Sequence, residues 1–385
     1  MRVVSWHPVL TDHMSYTLEA LQNVGGIDLS INVTTEEHID RQAQGWVKHH
    51  KIAAPIHKIS SRGWFQQVLK QLWRNKNAVH LFGSPFEQPR LICALILAIV
   101  MGIKVYLISE PYSPVAFGYQ NDRRRIVARI KAALRPVIYR MYGAILRQRL
   151  AGVFAISPLA VSQYQRIGIS KDRIFPFGYF VPKTGATSAN SAGHGTREVS
   201  GLRLIFIGTL IGRKGLDILI DAVRSLRLDG DDISLDVYGP GDHQHFNFDE
   251  STVRYCGKLP FGTVQEIMVS YDLLVLPSRY DGWGVVVNEA LLAGVPVICS
   301  DKVGAAAIIE KWRCGAVFES ENVVDLCRRL KQCMVGEAML AMHQAANEVG
   351  TVLAPEVAGK YMYEVINSVT FNEKPARPVC PWYEI

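Results

Sequence analysis

Short apolar runs alternate with helical stretches along the whole 385-residue chain, and this alternation leaves few folds open. Arg2–Trp6, Ile27–Val33, Ala78–Phe82, Lys104–Ser109 and Gly152–Ile156 read as strands in the first half. Leu202–Ile207, Ser234–Tyr238, Leu273–Leu276, Val295–Cys299 and Ala316–Phe318 repeat the pattern in the second. The pattern predicts an α/β protein of two doubly wound, Rossmann-like sheets, each covered by helices. The chain is also too long for one ordinary core. Between the halves, KTGATSANSAGHGTREVSG at 183–201 is small, polar and almost free of large apolar residues, as a linker would be. The expected division is residues 1–182, a linker at 183–200, a second domain at 201–355, and a helix with a tail at 356–385.

Several function classes recede on composition and spacing. Hydrophobic residues at 49% and charged ones at 20% describe a soluble globular chain. The longest apolar run, Leu91–Met101, falls short of the ~20 residues that cross a bilayer and reads as a buried helix feeding the strand Lys104–Ser109. MRVVSWHPVL reads as an opening strand rather than a secretory signal. The seven cysteines are scattered without a CxxC pair, as expected of reduced thiols in the cytosol. DHQH at 242–245 reads as a solvated loop, with no further metal ligands at recognisable spacing. No GxGxxG follows any strand, which argues against a dinucleotide-dependent dehydrogenase.

Residues 271–301, YDLLVLPSRYDGWGVVVNEALLAGVPVICSD, carry the strongest chemical signal. A strand ends at Pro277-Ser278, a loop holds Asp281, Gly282 and Gly284, a helix carries Glu289, and a second apolar strand follows. Backbone amides at such a junction point outward, and the helix dipole favours an anion. Gly282 and Gly284 admit close approach or positive φ, and Val285 and Val286 present the first amides of the helix. Glu289 is placed to accept hydrogen bonds from ribose hydroxyls and Asp281 from a transferred sugar. An ordinary βαβ turn, with Glu289 favouring the helix start, is the other reading of the spacing.

A second motif lies upstream in GLRLIFIGTLIGRKGLDILID at 201–221. Leu216, Leu219, Ile220 and Val223 recur at helical spacing after the strand, so Arg213 and Lys214 project from the intervening loop. Taken alone, a Lys-Gly before a helix is usually plain surface. If a glycosyl bond to a diphosphate breaks nearby, one cation at 4 Å supplies roughly 4 kcal/mol at an effective dielectric of about 20.

These two segments resemble the signatures of retaining GT-B glycosyltransferases of family 4. Asp281 and Glu289 stand in the two acidic places of the E-x7-E motif, with Asp one methylene shorter than the usual Glu. GWGVVVN matches its Gly-aromatic-Gly-aliphatic core and ALLAGVPVICSD the helix and strand that follow. Gly208 and Lys214 match the glycine and lysine of a VGR-x4-KG phosphate clamp. Thr209 stands where an arginine is common, and Arg213 is the expected replacement. The resemblance implies donor binding by Gly208, Thr209, Arg213, Lys214, Gly239, Gly282, Gly284, Val285, Val286 and Glu289, with Asp281 and Lys214 catalytic. It also implies an acceptor on the first domain, reaction in a cleft between the two, no metal or other cofactor, and a tail helix near Glu356–Val369 crossing back to the first domain.

The resemblance covers the second half well and the first half in outline. Where relatives carry a histidine after the fourth strand, this chain reads LISEPYSP. Glu110 therefore either bonds the donor sugar or caps a loop. His7, in WHPVLTDH with His13, either orients acceptor or phosphate or makes a structural hydrogen bond, and His80 has the same two readings. The final CPWYEI carries no readable signal.

Charge suggests a partner. Residues 121–150 hold nine Lys or Arg against one Asp, a local +8, while the whole chain carries +7. Ile126, Ile130, Leu134, Val137, Met141 and Ile145 recur at helical spacing among them, with Pro136 expected to break or kink the helix. Trp64, Phe65, Leu69, Leu72 and Trp73, with Lys70, Arg74 and Lys76, form a second basic-aromatic segment. The pattern fits either an anionic membrane surface, where each cation contributes roughly 1 kcal/mol, or a charged solvent face over a core helix. No nucleic-acid recognition motif accompanies it.

The expectation is thus a two-domain GT-B transferase that moves a sugar from a nucleotide-sugar to a lipid-linked or membrane-associated glycan of the bacterial envelope, with retention, at the inner face of the cytoplasmic membrane. A GT-B nucleotide-sugar epimerase and a donor-binding subunit without catalysis are the competing readings. Thr209, Asp281 and Glu110, as departures from the pattern, permit the second.

Overall fold

A computed structural model describes residues 1–35, 52–112, 125–184, 201–249, 251–260, 262–371 and 377–384. They form two compact units. The chain builds the first as far as Val181, passes into the second over Pro182–Ala354, and rejoins the first from Pro355.

The first unit is a seven-stranded parallel sheet of β1 (Arg2–His7), β2 (Asp28–Val33), β3 (Ile56–Lys58), β4 (Val79–Gly83), β5 (Lys104–Ser109), β6 (Gly152–Ile156) and β7 (Ile174–Phe177). The spatial order is β3-β2-β1-β4-β5-β6-β7, so the winding reverses between β1 and β4. Val3, Val4, Trp6, Leu81, Phe82, Val105, Leu107, Val153 and Phe154 are all buried. Apolar side chains thus occupy consecutive strand positions, as a parallel sheet covered on both faces requires. Helices α1 (Asp12–Asn23), α2 (Trp64–Arg74), α3 (Pro89–Val100), α4 (Arg125–Leu146) and α5 (Pro158–Arg166) belong to this unit. Pro136 does not break α4, which runs through it for 22 residues. One proline removes a single intrahelical hydrogen bond, and the turns on either side carry the helix past it. The apolar side of α4 does not form core: Ile130, Leu134, Val137, Met141 and Ile145 are exposed, while Tyr139 and Tyr142 pack inward.

The second unit is a six-stranded parallel sheet of β8 (Leu202–Ile207), β9 (Ile233–Tyr238), β10 (Val253–Tyr255), β11 (Leu273–Leu276), β12 (Val297–Ser300) and β13 (Gly315–Phe318), in the order β10-β9-β8-β11-β12-β13. Its winding reverses between β8 and β11. The helices are α6 (Leu216–Leu228), α7 (Val264–Met268), α8 (Val285–Leu292), α9 (Ala306–Trp312), α10 (Val323–Cys333) and α11 (Gly336–Gly350). Leu204, Phe206, Leu219, Val223, Leu235, Val275 and Leu330 form its core. Two parallel-sheet Rossmann-like units are the architecture the alternation predicts. The strands absent from the sequence reading are β3, β7 and β10. Each lies at a sheet edge, has three or four residues, and lacks the longer apolar run of a central strand.

The last helix, α12 (Pro355–Phe371), packs against α1 in the first unit. The tail beyond it is core rather than an appendage: Trp382 and Tyr383 are fully buried. The Trp382 ring lies 4.5 Å from Phe180 and 5.2 Å from Tyr361, centroid to centroid. The Tyr383 hydroxyl accepts from the Phe177 amide at 3.1 Å and donates to the Phe177 carbonyl at 2.9 Å, closing the end of the edge strand β7. Trp382→Ala should therefore lower the denaturant stability of the first unit by about 3–5 kcal/mol, the scale for emptying an aromatic site. Tyr383→Phe should cost about 1–2 kcal/mol, since it strands a backbone donor. Unfolding midpoints of both variants at the wild-type position would show that the tail is not structural.

Candidate active site

In a doubly wound sheet, ligands gather beyond the carboxyl ends of the strands where the winding reverses. In the second unit those strands are β8 and β11, and the loops after them are the two motifs singled out in the sequence. Close backbone contacts press the loops together. Gly215 takes φ +67° at the start of α6, and a Cβ there would lie 2.1 Å from the Pro277 carbonyl oxygen at the end of β11. Gly239, after β9, takes φ +148° with no room for a side chain, because a Cβ would sit 1.9 Å from the Gly208 carbonyl oxygen. Gly208 in turn donates its amide to Tyr238.

This packing brings Lys214 to Asp281. The ammonium lies 2.5 Å from Asp281 Oδ2, and Arg213 lies 3.8 Å from Oδ1 while donating to the Tyr280 carbonyl at 2.8 Å. Burial pushes the Asp281 carboxyl up, but the two cations, with the Trp283 amide, outweigh it and hold the group below the usual carboxylate range. Asp281 is 13% exposed. Its backbone is fixed as well, the amide donating to Lys302 and the carbonyl accepting from Gly304.

Sequence reasoning missed Arg279, which no motif marks. Its guanidinium makes two bonds to Asp217, at 2.9 and 2.6 Å, one to the Gly212 carbonyl at 2.6 Å and one to Glu321 at 3.0 Å. Its amide donates to the Arg213 carbonyl. Arg279, in the loop after β11, thereby anchors the loop after β8.

Gly284 takes φ +91° and heads α8, whose first residues Val285 and Val286 are half-buried. Trp283 is buried and donates its indole N–H to Asn288 at 2.9 Å, joining the loop to the helix. Glu289, one turn into α8, is half-buried, and burial pushes its carboxyl up to about 7. Thr209 is half-buried and carries no charge toward a phosphate. Lys214, Arg213, Asp281 and the head of α8 are thus brought together on two adjoining loops, with Glu289 on the helix that follows.

The remaining candidates belong to the first unit. His7 ends β1, buried, with Nε2 2.6 Å from the Ser5 hydroxyl, and burial lowers its pKa to about 4. His80 accepts from the Trp6 indole at Nδ1 and meets the Asn75 carbonyl at Nε2, and its pKa is also lowered to about 4 by burial. With these values both rings are neutral at pH 7, and each makes a hydrogen bond within its own unit. Glu110 follows β5 and is exposed. The loop histidines 243 and 245 are exposed, and no group of three or more His, Cys, Asp or Glu among the described residues could hold a metal ion.

The two units define a GT-B fold, with Lys214, Arg213 and Asp281 brought together on the second. Residues 201–335, which carry both loops, match the family Glycosyl transferases group 1. The chain is 28% identical over 141 residues to an uncharacterized glycosyltransferase of Methanocaldococcus jannaschii, covering 35% of this chain and 39% of that protein. It is 30% identical over 145 residues to the lipopolysaccharide glucosyltransferase WaaG of Escherichia coli, covering 35% and 38%. Each match therefore spans less than half the relative's length. Among solved structures, Anabaena HepE in complex with UDP is similar with a TM-score of 0.70 at 13% identity, covering 96% of this chain and 100% of that one, a likeness of fold.

The Glu289 carboxyl makes stability depend on pH. Between the ordinary value of 4.5 and about 7 the folded chain keeps a proton that the unfolded chain has released, so stability falls as pH rises through this window. Glu289→Gln removes that slope. Its stability relative to wild type should rise by up to about 3 kcal/mol between pH 4.5 and pH 8, read from urea unfolding at both pH values. A difference that does not change with pH would place the Glu289 pKa near its ordinary value.

Proposed function

We propose that the protein is a glycosyltransferase that moves a sugar from a nucleotide-sugar donor to a lipid-linked or membrane-associated glycan, with retention of anomeric configuration. The observation that carries this reading is the joining of Lys214, Arg213 and Asp281 on the two loops at the winding reversal of the unit that matches glycosyl transferases group 1. The donor diphosphate lies at the head of α8 against Lys214 and Arg213, and Glu289 meets the ribose hydroxyls. As the bond from the anomeric carbon to the diphosphate oxygen breaks, a hydroxyl oxygen of the acceptor bonds to that carbon, and the diphosphate departs with the electron pair and takes up the hydroxyl proton. Lys214 stabilises the charge that develops on it. Asp281 keeps Lys214 aimed at this position and faces the sugar, and the step needs no metal ion.

The UDP bound by HepE makes uridine diphosphate sugars the first donors to try. WaaG, named for lipopolysaccharide, supports an envelope glycan as acceptor, received on the first unit. The basic stretch 121–150 supports work at the cytoplasmic face of the membrane as a peripheral protein. No helix among the described residues is long and apolar enough to cross a bilayer.

Release of nucleoside diphosphate from a panel of nucleotide-sugars, with and without membrane extract as acceptor, tests the reading. Lys214→Ala should lower turnover by roughly 10²-fold or more, the cost of losing one preorganised charge-stabilising group. Adding Arg213→Ala should lower it further, and EDTA should leave it unchanged. Wild-type turnover in Lys214→Ala would remove the phosphate clamp, and binding of a nucleotide-sugar without turnover under any condition would favour a subunit without catalysis.

A further inference from the structure

The exposed side of α4 serves neither the sheet nor the candidate active site. Ile130, Leu134, Val137, Ile138, Met141 and Ile145 are 41–64% exposed. At 100° per residue they fall within an arc of about 100°, a continuous apolar stripe some 22 Å long at 1.5 Å per residue. Arg129 and Arg140 flank the stripe on one side and Arg135 on the other. Exposed Arg147 and Arg149 follow the helix, and residues 125–146 contain no Asp or Glu. A second helix of the same unit repeats the design: α2 exposes Phe65, Leu69 and Trp73 at four-residue spacing, beside exposed Lys70 and Arg74. Val68 and Leu72 of α2 and Tyr139 and Tyr142 of α4 pack on the same core, so both helices are seated on one hydrophobic cluster with their apolar stripes facing away.

We propose that α4 is an interfacial helix that lies in the surface of an anionic bilayer, with its apolar stripe among the acyl chains and its arginines at the lipid phosphates. This rests on the membrane-associated reading above and adds that insertion of the stripe, and not charge alone, holds the protein there. Charge complementarity selects this occupant. A second copy of the chain would set one arginine-flanked stripe against another with no acid to relieve the repulsion, whereas an anionic leaflet offers apolar depth and negative charge together. Arg123 and Arg124, which belong to the same basic run, lie outside the described residues.

The test uses the full chain and vesicles of phosphatidylcholine alone or mixed equally with phosphatidylglycerol. The Ile130→Ser, Leu134→Ser, Met141→Ser variant alters exposed side chains, and an unchanged circular dichroism spectrum confirms its fold. Its affinity for mixed vesicles should fall about a hundredfold, since three half-exposed aliphatic side chains lose their burial in lipid. The wild type should keep part of its vesicle binding in 0.5 M salt, where charge is screened, and the variant should keep none. Equal affinities of variant and wild type, with both released by salt, would overturn insertion and leave a charge-only membrane contact. Wild-type protein that fails to bind mixed vesicles at all would overturn insertion and the membrane reading together. A wild-type dimer that the three substitutions dissociate, or an acidic protein partner lost with them while vesicle binding persists, would also overturn the proposal.

Discussion

Arg279 is the residue on which the site geometry depends. At 15% side-chain exposure it is costly to bury, and the cost is met by four charge-assisted or carbonyl hydrogen bonds in fork geometry. Its partners lie in three places: Asp217 in the first turn of α6, Gly212 in the loop after β8, and Glu321 ahead of α10. Burial pushes the Asp217 carboxyl up, yet Arg279 holds it below its ordinary range, so the pair stays ionised. With the Arg279 amide also bound to Arg213, the loops after β8 and β11 behave as one body, and the separation of Lys214 and Asp281 follows from that union.

The assembled charges carry a net positive balance. Two cations face one carboxylate, and Glu289 stands near the midpoint of its titration at pH 7. The contact with Asp281 holds the Lys214 ammonium in one orientation. On the proposed function, a donor diphosphate would meet a cation already oriented, and the reorganisation that water would require is avoided.

The central strands were legible because strands buried on both faces are continuous apolar runs: Lys104–Ser109, Gly152–Ile156, Leu202–Ile207 and Leu273–Leu276 have the boundaries read from sequence. Edge strands have less to bury and so leave less pattern. The loops bearing Lys214 and Asp281 stood out through their resemblance to family motifs, since spacing alone left an ordinary turn and plain surface open. Arg279 was not, because its importance lies in what surrounds it, and neither was the raised carboxyl of Glu289, which is a property of burial. Trp382 and Tyr383 form no periodic pattern, so nothing in CPWYEI announced a core. The periodicity of α4 marked one apolar side, but periodicity cannot say what covers that side, and the structure leaves it exposed.

The route of the chain carries a consequence for how it reaches this structure. Synthesis proceeds from the amino terminus and domains fold as units when their segments are available. By the time Ala354 emerges the second unit is complete, while the first still lacks the helix that covers α1 and the Trp382–Tyr383 plug beside β7. The half begun earliest is therefore finished last, and a nascent chain stalled before Trp382 would display an open aromatic pocket, the kind of surface that chaperones hold until translation ends.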